Sequence, residues 1–202
     1  MSKLIENLDG PVLGINSSKD MHQKLKYESL RLQENWKNPY DAFNFLVTAW
    51  HLFHDWPKSD KKMDLSRIKR QGKQLPAEML FVLNVVKDLT NGSKHFSLEK
   101  KAANKRVVSE IHTGNEVGWY QYYFRENLPG VNANDSNCQG YFSIRVLHNI
   151  VIYYFEWVFD DSLLASNFPN EIVEAIRYSD IANRPKEITQ AATNVRSGTG
   201  LR

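Results

Sequence analysis

A chain of 202 residues with 42% hydrophobic and 12% aromatic residues, and 26 Lys and Arg against 23 Asp and Glu, is long enough for one domain with a true hydrophobic core and calls for no second. A net charge of +3 is too small to argue nucleic-acid binding from totals, and the single cysteine, Cys138, excludes an intrachain disulfide and a cysteine-rich metal site. The first 20 residues lack the apolar stretch of a signal peptide, and the most apolar run, Ile150 to Phe159, contains Glu156 and falls short of the roughly 20 residues that span a bilayer, so the sequence predicts a soluble cytoplasmic protein with no membrane partner.

In chain order, residues 1 to 18 read as an irregular lead-in, because Asp9-Gly10-Pro11, Gly14 and Ser17-Ser18 are turn formers. Residues 19 to 36 turn helical, with Met21, Leu25, Tyr27, Leu30 and Leu32 set among charges. Asn38 and Pro39 then fit the N-cap and first turn of a helix that Pro57 should end near Trp56. That helix is apolar on two faces, so little of it can meet water. The basic stretch 58 to 73 reads as a surface helix or ordered connection ending at Gly72. Pro76 opens a second apolar helix, and Asn91-Gly92 is an ordinary helix stop. Either the helix ends there and His95 sits in a loop, or it runs on and His95 stays in phase.

Beyond residue 104 the period shifts toward two. Val107, Ser109 and Ile111 alternate with Val108, Glu110 and His112, Thr113-Gly114-Asn115 signals a turn, and Trp119 to Phe124 reads as a second strand. Leu128 to Gly140 reads as a loop, Tyr141 to Leu147 as a third strand, and 148 to 164 as a helix apolar on nearly every side. A last helix, Asn170 to Ala182, has Pro169 and Asn170 placed for a cap, and the tail from Arg184 lacks apolar periodicity. The fold class expected is α+β, mostly α: a single domain over residues 1 to 183, built as a helical bundle with a small antiparallel β insertion at about 106 to 147, followed by a flexible tail over 184 to 202.

Candidate chemistry lies in two polar stripes. Asn44, Thr48, His51 and Asp55 follow steps of four, three and four through the first apolar helix, and Asn84, Asp88, Asn91 and His95 repeat those steps through the second. Such steps put residues on one helix face, and polar groups carried into a core need partners. His51 and Asp55 can bond on successive turns, which orients the imidazole. If the helices pack antiparallel, Asp88, Asn91 and His95 face them. The set can form a structural network that fixes helix register, perform general acid–base catalysis, or hold a divalent metal through His and Asp. Neither helix carries a His-Glu-x-x-His zinc signature and no phosphate-binding glycine loop exists, so no metal or other cofactor is expected.

Charge is unevenly spread. Lys58, Lys62, Arg67 and Arg70 crowd one stretch, Lys94 and Arg106 belong to another, and the balance after residue 150 turns acidic. Basic rims of this kind are candidates for phosphate contacts, with Lys62, Arg67, Arg70, Lys94 and Arg106 the residues of choice, and a molecule with a basic and an acidic end can also meet its own copy. Trp119, Tyr120, Tyr122, Tyr123 and Phe124 offer either stacking surfaces for bases or ordinary sheet residues that cover a core.

The run Asp88-Leu89-Thr90-Asn91-Gly92-Ser93-Lys94-His95-Phe96, preceded by Phe45-Leu46-Val47-Thr48-Ala49-Trp50-His51-Leu52 and Asp55-Trp56, resembles a group of uncharacterised bacterial and phage proteins with a similar Asp-Leu-x-Asn-Gly-Ser-Lys-His element. That group is similar in organisation to HEPN-type helical domains, which often serve as ribonucleases or nucleotide-binding modules in toxin–antitoxin and anti-phage systems. The resemblance spans residues 40 to 100. It implies an RNA-directed activity resting on Asn91, Lys94 and His95. The HEPN nuclease motif is an Arg, then a polar residue, with a His a few positions on; Arg106 and His112 have that separation, but Val107 replaces the polar residue and the segment reads as a strand. Two functions are therefore expected of the sequence: a non-catalytic interaction or accessory protein with a protein partner or its own copy as homodimer, and a HEPN-like RNA-binding protein or metal-independent ribonuclease with His51, Asp55, Asp88, Asn91 and His95 as its catalytic set.

Overall fold

A computed structural model describes residues 14–60, 75–94, 106–114, 127–160 and 168–179. Helix α1 (Ser18–Glu34) begins with a reciprocal cap: the Ser17 hydroxyl accepts from the Asp20 amide at 3.1 Å and donates to Asp20 Oδ2 at 2.8 Å, while the Asn16 amide donates to the same oxygen at 3.0 Å. Helix α2 (Pro39–His54) starts as expected, with Asn38 Oδ1 accepting from the Tyr40 amide at 3.0 Å and Pro39 in the first turn. It ends at His54 rather than Trp56. Pro57 does not halt the chain but enters the first turn of a one-turn helix, α3 (Trp56–Ser59), where its fixed φ and missing N–H cost nothing.

Helix α4 (Ala77–Lys94) runs through Asn91-Gly92, so of the two alternatives the one with a stop at the glycine does not hold. Three strands follow, β1 (Val108–His112), β2 (Gly130–Asn134) and β3 (Gln139–Ser143), paired antiparallel in the order β1-β2-β3. The central strand corrects the loop expected at 128 to 140. Its sequence, Gly-Val-Asn-Ala-Asn, has poor strand propensity, but hydrogen bonding on both edges and burial of Val131 and Ala133 override that preference. The proposed strand at 119 to 124 lies outside the described residues. The third strand is shifted, because helix α5 (Ile144–Phe159) begins directly at its end, with the Ser143 hydroxyl accepting from the Val146 amide at 3.3 Å. Ile144 and Val146, inside the expected third strand, thus open a helix instead of closing a sheet. That helix closes at the Asp160 cap, earlier than the expected 164. The last helix, α6 (Asn170–Tyr178), ends before 182, and Pro169 rather than Asn170 is its cap residue, with no side-chain hydrogen bond.

The architecture is mostly helical α+β. Helix α1 packs along both α2 and α5, α2 also packs on α4, and α6 bridges α4 and α5. Leu25, Phe45, Leu52, Met79, Leu147 and Phe155 are buried in one continuous core that extends to Val108, Val131 and Phe142 of the sheet. The sheet is fastened to the helices at both edges: Asp88 on α4 accepts from the start of β1, and the Tyr141 amide of β3 donates to the Ser179 carbonyl after α6 at 3.1 Å. Among the described residues no helix is long and apolar enough to cross a membrane.

Candidate functional site

The two stripes do not enter the core as units. Thr48 and Asp88 are buried, whereas Asn44, Asn84 and Asn91 are exposed and His51 and Asp55 are half-buried. The expectation of two polar rows inside the bundle is therefore corrected: each row keeps to one narrow strip of its helix, but that strip lies along the edge of the buried face, so Thr48 and Asp88 fall on the core side and their neighbours on the solvent side. His95, and with it the full second row, lies outside the described residues.

At the C-terminal end of α2 the chain gathers a compact polar cluster. Because a carboxylate only accepts, the His51 Nδ1–H donates to Asp55 Oδ2 at 2.6 Å and the His54 Nδ1–H donates to Asp55 Oδ1 at 2.7 Å. Lys58 Nζ donates to His54 Nε2 at 3.0 Å and lies 3.8 Å from Asp55 Oδ1, and the Trp50 ring stacks on His54 at 4.9 Å. Partial burial raises the pKa of Asp55, but the hydrogen bonds and charges of His51 and His54 outweigh it and hold the carboxyl below its ordinary value. His51 Nε2 makes no hydrogen bond among the described residues. Its imidazole is thus oriented from one side with its other nitrogen outward, the arrangement a general base needs. His54 was not visible as a member of the cluster from the stripe spacing, although the local pattern His-x-x-His-Asp signals it.

Asp88 is used differently. Its Oδ2 accepts from the amides of Val107 at 2.7 Å and Val108 at 3.2 Å, so the carboxylate terminates the first two residues of the β insertion on the side of α4. Thr90, two residues on and therefore on nearly the opposite side of α4, donates to the Leu46 carbonyl of α2 at 3.4 Å. Between α1 and α2, Lys24 donates to Thr48 Oγ1 at 2.6 Å and pairs with Glu28. A second buried network was missed in the sequence because its members sit on separate helices: Ser29 Oγ donates to His148 Nε2 at 2.7 Å, and the His148 Nδ1–H donates to Asn149 Oδ1 at 3.0 Å. This order of atoms matches a serine nucleophile with its base and orienting group. Ser29 and His148 are, however, 5% and 2% exposed, and His148 is held between Phe45 and the edge of Trp36. Burial lowers the pKa of His148 against the opposing effect of its Asn149 bond, so a neutral ring locks α1 to α5.

Of the expected phosphate-binding residues, Lys62, Arg67 and Arg70 lie outside the described residues. Lys94 is the last residue of α4, and Arg106 is half-buried just before β1, away from the His51 cluster in sequence and element. Arg106 and His112 flank one strand segment: the His112 ring is buried, with its Nε2 3.2 Å from Asn132 Nδ2 and 3.4 Å from Glu110 Oε2.

The outer surface of the α2–α1–α5 layer is the other candidate. Seven large apolar side chains are exposed among the described residues, and five of them, Tyr27, Leu30, Tyr40, Phe43 and Tyr153, belong to these three helices. Lys24–Thr48 and Arg31–Asp41 fix α1 and α2 antiparallel, and His22–Phe159 and Ser29–His148 do the same for α1 and α5. That register sets Leu30 level with Phe43 and Tyr27 level with Tyr153 along the helix axes. Toward the start of α1, a cleft of about 450 Å³ opens between α1 and α5, with Lys19, Gln23 and Lys26 on one wall and Glu156 and Asp160 on the other. Its floor is the His22 ring stacked on Phe159 at 4.3 Å, and burial, with Lys26 adding its charge, pushes the His22 pKa down to about 4.

Comparison of the chain with protein-family models, curated proteins and solved structures finds no match.

Proposed function

We propose that this chain is a non-catalytic interaction protein that docks a protein partner on the outer face of the α2–α1–α5 layer. The observation that carries this reading is that five of the seven exposed large apolar residues among the described residues belong to these three helices. Exposed apolar area of this kind is unfavourable in water and is characteristic of protein contacts. Tyrosine supplies most of these residues, and Tyr27 lies against Arg31, a pairing suited to an interface core because both side chains carry apolar area together with a polar tip. Capture on immobilised protein tests the reading. A protein retained by the wild type and by His51→Ala, but lost by Leu30→Glu, supports it; retention that is indifferent to Leu30→Glu and Phe43→Ser overturns it.

A second reading is favoured by the outward His51 Nε2 beside Asp55, His54 and Lys58: RNA-directed acid–base chemistry of HEPN-like type, as in defence or toxin systems. The cluster leads directly into the basic stretch 58 to 73 in sequence, where phosphate contacts would release counterions and make binding steeply salt-dependent. Cleavage of total RNA that is lost in a folded His51→Ala variant would establish it. RNA left intact and unshifted at low salt, with or without magnesium, would remove it.

A further inference from the structure

We infer that the partner of the α2–α1–α5 face is a second copy of this chain, related by a two-fold axis running along the α1/α5 groove. The inference rests on the docking reading above and names its occupant. The two walls of the groove carry opposite charge, Lys19 and Lys26 on α1 against Glu156 and Asp160 on α5. Among the described residues neither Lys26 nor Glu156 has an ion-pair partner, although they line the same cleft.

A two-fold axis lying in the plane of the face and along the groove exchanges left and right while keeping each residue at its own height. It therefore lays the basic α1 wall of one copy over the acidic α5 wall of the other, twice, with Leu30 of α1 exposed beside each contact. An axis across the groove would instead oppose lysine to lysine. This is the self-complementarity that an isologous dimer requires.

Sedimentation velocity and light scattering on the full chain, from low micromolar to about 1 mM, test the proposal. The wild type should dimerise; Lys26→Glu and Glu156→Lys should each weaken the dimer about tenfold or more, because every reversal acts at two symmetry-related contacts. The double charge swap should recover most of the lost affinity, and Leu30→Glu should give monomer with an unchanged circular dichroism spectrum. A wild type that stays monomeric throughout, or a dimer unaffected by the single reversals and by Leu30→Glu, overturns the proposal. If the chain is monomeric while Leu30→Glu still abolishes capture of another protein, self-pairing fails and the docking reading stands; if Leu30→Glu changes neither mass nor capture, both fall.

Discussion

Asp88 belongs to the sequence-derived catalytic set, yet both of its hydrogen bonds among the described residues are to backbone amides, which makes its removal an informative perturbation. In Asp88→Ala the amides of Val107 and Val108, both buried, lose acceptors at 2.7 and 3.2 Å. A buried donor left unpaired costs about 1–3 kcal/mol, and the longer of the two bonds contributes least, so the variant should lose about 2–4 kcal/mol. Asp88→Asn keeps an acceptor of the same shape but gives up the charge assistance, and should lose about half as much. Urea denaturation should show a lower midpoint with an unchanged slope, since the same surface is exposed on unfolding. Hydrogen exchange should report deprotection at residues 107 and 108 before any change in the interior of α4. A loss below about 0.5 kcal/mol, or retained protection of those two amides, would refute the assignment of Asp88 to the attachment of the β insertion.

Other consequences follow from the same geometry. His22 has its folded-state pKa pushed down from 6.5 to about 4 while the unfolded chain keeps the ordinary value; the unfolded state then binds more protons between those limits, so stability is full above pH 6.5 and declines by about 3 kcal/mol on acidification to pH 4. His22→Phe, which preserves the stack on Phe159, should flatten that decline, as measured by melting temperature against pH. Gly114 has φ +82°, and a Cβ there would come within 2.5 Å of the Leu128 carbonyl carbon; Gly114→Ala should cost about 2 kcal/mol or more in chemical denaturation. Ser29→Ala removes the donor to His148 Nε2 inside the α1/α5 contact and should cost about 1–2 kcal/mol without altering oligomeric state.

The elements with strong local punctuation were legible in the sequence. Asn38-Pro39 set the start of α2, the two apolar helices read as such from residues 42 to 56 and from Pro76 onward, and the change of period after 104 marked the β insertion. Tertiary context decided where local signals failed. Gly130–Asn134 is a strand because two neighbours pair with it, and the β-branched start of α5 is helical because Ser143 caps it. At the candidate site, the His51–Asp55 bond followed from helical spacing alone. The diversion of Asp88 to β1 could not, because its partners lie 19 and 20 residues away. The Ser29–His148 lock, spanning 119 residues, and the exposure of Tyr27, Leu30, Tyr40, Phe43 and Tyr153 on three neighbouring helices depend on helix packing that no local pattern encodes.

The central claim is that one face of the molecule, the outer surface of α2, α1 and α5, is where it meets another polypeptide. Site-specific photocrosslinking addresses this directly, with benzoylphenylalanine introduced in turn at Leu30, Phe43, Tyr153, Ile111 and Tyr178, all exposed in the isolated chain. Adducts from positions 30, 43 and 153, and none from 111 or 178, are the predicted result. Adducts confined to 111 or 178, or an equal yield from all five positions, would contradict it.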